Sequence, residues 1–131
     1  MKQLLIIASI LVTSIAFTQS EMPVIEVLDN MRAQGTKESA DKWLTDHFDL
    51  SDEPYDWAGC IMHDEEEGQY AVCETGIYLF FTMNEKLGLF GQQLNDKWGM
   101  PDKEGNASYY GEYAQMIEDH TESHYLFFSF K

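Results

Sequence analysis

The sequence predicts an α+β domain: N-terminal helices packed on a mainly antiparallel five-stranded sheet, with a short helix inserted between strands three and four. Three observations lead there. Apolar residues recur at helical spacing in residues 23–50 and again in 87–98. The remaining apolar runs are short, rich in aromatic and β-branched residues, and bounded by glycine or polar turns. These runs follow one another with one helical pattern among them, which favours antiparallel neighbours over repeated helical crossovers.

The first helix opens at Pro23 and carries Val24, Ile25, Val27, Leu28 and Met31. Gly35 breaks it. In the second, Ala40, Trp43, Leu44, His47 and Phe48 fall at i, i+3, i+4, i+7 and i+8, which is one apolar face. Thr36 is its N-cap, although Ser39 stands where a reciprocal capping box carries Glu or Gln. The segment 51–54 is a loop.

Strands one and two, Trp57 to His63 and Gln69 to Glu74, form a hairpin inside CIMHDEEEGQYAVC, residues 60–73. Folded so that facing positions sum to 133, Cys60 meets Cys73, Ile61 meets Val72, Met62 meets Ala71 and His63 meets Tyr70. The turn is Glu65-Glu66-Glu67-Gly68, where Gly68 can supply a positive φ. Directly opposed residues have Cβ atoms about 4.5–5.5 Å apart, close to disulfide geometry. Strand three, Ile77 to Met83, is apolar on both sides, the pattern of a central strand covered on two faces. Leu87, Phe90, Leu94 and Trp98 mark the inserted helix, ended by Gly99 and stopped by Pro101. Residues 102–107 read as a polar loop. Ser108 to Glu118 and Ser123 to Phe130 read as a closing hairpin with its turn at 119–122.

Residues 1–20 have the layout of a signal peptide. Lys2 precedes an apolar run from Leu4 to Phe17, and Thr18 and Ser20 place small residues before a cleavage point; cleavage after Ala16 is the other candidate. The run is shorter than the roughly 20 residues that cross a bilayer. The expectation is therefore a leader over 1–20 and one secreted or periplasmic domain over 21–131, with no membrane insertion after cleavage. A buried N-terminal helix or a membrane anchor is the competing reading.

The chain has 23 acidic against 8 basic residues, a net charge of −15. That balance repels nucleic acid and anionic lipid and steers cationic partners inward. Solubility, or adaptation to salty surroundings, accounts for it more simply. The aromatic content of 14% supports a packed core and argues against disorder.

Export decides how the cysteines are read, because an isolated pair bridges in an oxidising compartment. A thioredoxin-type pair is two residues apart, and zinc needs further ligands. Asp64-x-Glu66-x-Gly68 echoes the start of a calcium loop, yet the twelfth position from Asp64 is Thr75, where a glutamate is needed. A solvated acidic turn is the default. His120 and His124 are four apart but lack the glutamate that follows the first histidine in a helical zinc motif. Together with His63, beside the acidic turn, they are weak metal candidates only, and no metal or cofactor is expected. No Gly-x-Ser-x-Gly elbow is present, and the glycines are too dispersed for a phosphate loop. Asn106-Ala107-Ser108 matches a glycosylation sequon, which matters only in a eukaryotic secretory pathway.

The aromatics are the more informative excess. Tyr109, Tyr110, Tyr113 and Tyr125 lie beside Phe127, Phe128 and Phe130. Strand alternation puts Tyr109 and Tyr113 on one face and Tyr110 on the other. One face is core; the other, if open, forms a flat aromatic patch suited to a protein or sugar, unless loops or a dimer cover it. The candidate partner-binding residues are Asp64, Glu65, Glu66, Glu67, Tyr109, Tyr110, Tyr113 and Tyr125. The function expected is a non-catalytic acidic binding module for a cationic protein, of inhibitor or toxin-neutralising type. An exported hydrolase or metal-dependent enzyme using carboxylates with His63, His120 or His124, and a structural envelope protein, are the alternatives.

Overall fold

The computed structural model describes residues 22–50, 52–118 and 123–130. The expected leader, the 119–122 turn and His120 lie outside them.

Helix α1, Val24–Ala33, starts behind Pro23, whose fixed φ and missing N–H suit a helix start. Helix α2, Lys37–His47, is capped as its sequence predicts: the Thr36 hydroxyl accepts from the Ser39 N–H at 3.2 Å. Helix α3, Asn84–Trp98, is 15 residues long, about a turn longer than its apolar spacing marks. Its exposed first turn carries no core residue, which is why the apolar pattern misses it.

The strands among the described residues number eight, not five: β1 Tyr55–Trp57, β2 Cys60–Glu65, β3 Gly68–Val72, β4 Gly76–Phe81, β5 Asp102–Glu104, β6 Ala107–Tyr110, β7 Ala114–Glu118 and β8 His124–Ser129. Two of the extra strands are three-residue edge pieces too short to show a period. The third arises because residues 108–118 fold back on themselves at Gly111, whose φ is 63°. The inserted helix consequently lies between β4 and β5. All pairings are antiparallel, in the order β1-β2-β3-β4-β8-β7-β6-β5.

The β2–β3 hairpin has the register read from the sequence: Ile61 faces Val72, Met62 faces Ala71, His63 faces Tyr70, and Glu66-Glu67 turn the chain. Cys60 and Cys73 form a disulfide just beyond the ladder, with Cα atoms 4.3 Å apart. Gly68 is needed for more than its φ of 153°: a Cβ there would collide with the Phe80 carbonyl of β4. Gly76 is likewise fixed by the Phe128 carbonyl of β8.

All three helices among the described residues pack on one face of the sheet. Alternation sends Tyr70, Val72, Ile77, Leu79, Phe81, Met116, Leu126 and Phe128 toward them, and these meet Ile25, Leu28, Met31, Leu44, Phe90 and Leu94 in one core. Helix α2 lies against β3, and α1 lies centrally against β4 and β8. Helix α3 carries the chain from β4 to the far edge, crossing the β6–β8 half: Phe90 meets Phe81 edge-on at 5.0 Å, and Asn95 accepts from Tyr110 Oη at 2.8 Å. Lys97 ties α3 to α1 through Glu26 at 3.0 Å and Asp29 at 3.3 Å. Such partly exposed ion pairs contribute little beyond orientation. The sequence predicts β4 covered on both faces; it is central, but among the described residues helices cover one side only.

Candidate functional site

The second face of the sheet carries no helix among the described residues. Pairing and alternation assign it Tyr55 and Trp57 on β1, Cys60, Met62 and Asp64 on β2, and Gln69, Ala71 and Cys73 on the β3 side. Tyr78 and Phe80 follow on β4, Tyr125 and Phe127 on β8, Gln115 and Ile117 on β7, Tyr109 on β6, and Asp102 and Glu104 on β5.

Its centre is an aromatic cluster. Tyr78 stacks parallel to Phe80 at 5.5 Å and lies 4.5 Å from Phe127 and 5.7 Å from Tyr125; Phe80 and Tyr125 are 5.8 Å apart. These four rings are half-buried, whereas their strand neighbours on the helix face are buried. They shield one another and remain open to solvent from above. Beside them Met62, Ala71 and Cys73 form a small second core under Cys60, Tyr78 and Phe80. The disulfide is therefore part of the floor of this face.

Toward the β1 edge the face dips into a pocket of about 320 Å³ lined by Tyr55, Trp57, Met62, Gln69, Phe80 and Ser123. Trp57 is 63% exposed and Tyr55 43%. A polar network braces the pocket: Tyr55 Oη donates to Asp64 Oδ1 at 3.1 Å, and Gln69 Nε2 donates to Tyr55 Oη at 2.7 Å and to Asp64 Oδ1 at 2.9 Å.

Charge is segregated between the faces. Of the described basic residues, Arg32, Lys37, Lys42, Lys86 and Lys97 lie on the helices. Lys103 lies on β5 opposite buried Ser108, hence on the helix side. Among the described strand residues the open face carries Asp64, Asp102 and Glu104 and no basic side chain.

The sequence-predicted site residues divide. Asp64, Tyr109 and Tyr125 share the open face. Glu66 is exposed in the β2–β3 turn, while Glu65 and Glu67 are half-buried. Glu67 accepts from Tyr70 Oη at 2.7 Å. Burial first, then the Glu67 and Glu65 carboxylates, push the Tyr70 phenol well above its ordinary value. Glu65–Glu67 rim a separate cavity of about 480 Å³ with an apolar floor that includes Leu44, Phe48 and Tyr70.

Two tyrosine expectations are corrected. Tyr110 is 4% exposed, its ring in the core and its hydroxyl on Asn95, so it is no surface contact. Tyr113 does not share a face with Tyr109. It sits in the 111–113 turn, stacked on Trp98 at 6.0 Å with Arg32 Cζ 4.9 Å from its ring centre. The expected alternation fails because that turn interrupts the strand.

The described histidines do not converge. His63 is fully buried on the helix face, and its Nε2 donates to Asp41 Oδ1 of α2 at 2.6 Å. His124 is 4% exposed, with Nε2 2.9 Å from Asn84 Oδ1. Their strands are three spacings apart, roughly 14 Å. His47 is exposed and stacks on Trp43 at 4.4 Å. Among the described residues no three His, Cys, Asp or Glu side chains are grouped to hold a metal ion, and no helix is long and apolar enough to cross a membrane.

The residues missed from the sequence are Tyr55, Trp57, Gln69, Tyr78, Phe80 and Phe127. A signal existed for most of them. The 133 register puts Met62 and Ala71 on the face opposite His63, and extending it one strand adds Tyr78 and Phe80. Compared with protein families, with characterised proteins and with solved structures, the chain matches none.

Proposed function

We propose that this protein is a small exported binding module, without catalysis of its own, that docks a cationic protein on the open face of its sheet. The observation that carries this reading is the face itself: a central cluster of four aromatic rings, flanked by Tyr55, Trp57 and Tyr109, with three carboxylates and no basic side chain among its described strand residues. Aromatic rings supply contact area at low entropic cost, and the surrounding charge selects the partner.

The same charge separates partner classes. A second copy of the chain would bring two such acidic faces together, each on a molecule of net charge −15, and like charges across an interface are penalised. A basic protein gains from both the field and the rings. Seven strand spacings of about 4.8 Å and strands about 17 Å long make a face on the order of 500 Å². That is short of the roughly 800 Å² per partner of a standard interface. The partner therefore reaches past the sheet to its acidic margin, where the β2–β3 turn presents Glu66. A role in inhibiting or neutralising a basic exported protein fits this arrangement.

The test is capture of basic proteins at low and high salt by the wild type and by Tyr125→Lys. Capture that weakens with salt and is lost in the variant supports the reading. Capture indifferent to both salt and the variant refutes it.

A further inference from the structure

We propose that the pocket at the β1 end of the open face is a recess for one cationic side chain, a guanidinium or ammonium group of the partner. This rests on the docking reading above and names the contact that anchors it.

Aromatic faces attract cations through their quadrupoles, most strongly tryptophan. Here Tyr55, Trp57 and Phe80 surround one pocket of about 320 Å³ above buried Met62. That volume is at the low end for small-ligand sites and suits a side chain better than a whole cofactor. Trp57 and Tyr55 are among the most exposed large hydrophobic residues described, so the walls offer surface that a partner can cover.

Asp64 supplies the countercharge from just outside the recess: it lines the adjoining cavity that shares Gln69, Phe80 and Ser123 with the pocket, and it is hydrogen-bonded to the pocket-lining Tyr55 and Gln69. Both hydrogen bonds it accepts, from Tyr55 Oη and Gln69 Nε2, fall on Oδ1. Among the described residues it is not ion-paired to a basic side chain. The Tyr55–Gln69–Asp64 network spans β1, β2 and β3, so wall and carboxylate are held in place before the ligand arrives. A neutral sugar could also stack on Trp57, but it would not need the carboxylate.

The test is an NMR titration of the oxidised protein with Nα-acetyl-arginine methylamide, its neutral citrulline counterpart, and cellobiose. Saturable shifts at the Trp57 indole N–H and Gln69 side-chain amide are expected with the arginine probe. Affinity for the citrulline probe and cellobiose should be at least about tenfold weaker, and Trp57→Ala and Asp64→Asn should each weaken the arginine probe by about fivefold. Trp57 is largely exposed, so its variant should keep the wild-type fold, checked by circular dichroism. Equal response to the charged and neutral probes, or shifts confined to residues 65–67, would overturn the proposal. If the recess fails while Tyr125→Lys still abolishes salt-sensitive capture, the docking face stands without it.

Discussion

Reducing the Cys60–Cys73 disulfide isolates the contribution of one cross-link, because both sulfurs stay in place. The bridged residues are 13 apart in sequence. In the chain-entropy account, freeing a loop of this size raises the entropy of the unfolded chain by an amount worth about 3 kcal/mol at 25 °C. Unfolding entropy is about 2.1 cal/mol/K per residue, which over the roughly 110 residues beyond position 21 gives about 0.23 kcal/mol/K. Reduction should therefore lower Tm by roughly 13 °C. Thermal unfolding followed by circular dichroism, with and without a phosphine reductant, measures it; Cys60→Ser/Cys73→Ser serves as the control that reductant cannot shift. A drop under about 3 °C would show that the β2–β3 ladder closes this loop in the unfolded chain as well, and the chain-entropy reasoning would fail.

Three further outcomes follow from the packing. Gly76→Ala places a methyl group against the Phe128 carbonyl and should cost about 3 kcal/mol or more; Gly88→Ala, with open space on exposed α3, should gain about 0.5–1 kcal/mol, both read from urea midpoints. Asp41→Leu leaves buried His63 without its carboxylate and should cost about 2 kcal/mol, whereas Asp41→Asn keeps an acceptor oxygen and should cost less than half of that. Because the Tyr70 phenol is raised in the fold, the folded state holds its proton when the unfolded chain has lost it. Tyr70 therefore contributes stability present below pH about 10 and lost as pH climbs toward the folded value. A urea series from pH 8 to 11 should show a decline that Tyr70→Phe reduces.

What the sequence shows depends on how many constraints meet at a residue. The β2–β3 register is legible because two cysteines, a turn glycine and alternating apolar residues all demand the same pairing. Strands β1 and β5 are not legible: three residues at an edge, all exposed, carry no period. Residues 108–118 look continuous because Gly111 is the only mark of their turn, and a lone glycine also fits a strand. That ambiguity misplaces Tyr113; Tyr110 lies on the face opposite Tyr109 as alternation predicts, and that face is the core. β4 conceals which face is open, since Ile77, Leu79 and Phe81 on one side and Tyr78 and Phe80 on the other are all apolar. Its neighbour resolves the question only in part: Leu126 and Phe128 are as apolar as Phe127, and Tyr125 alone hints at water. His63 is legible in part. Its place opposite Tyr70 put it on the core side, where the buried partner it needs comes from α2, beyond the reach of local pattern.

The central claim is that the open aromatic face, and not the helical surface, meets the partner. Hydroxyl-radical footprinting of the protein free and bound to its captured basic partner tests it most directly. Trp57, Phe80, Tyr109, Tyr125 and Phe127 should lose labelling in the complex while exposed Leu89 and His47 on the helices keep theirs. Protection of the helical residues, with the sheet face labelled as before, would contradict it.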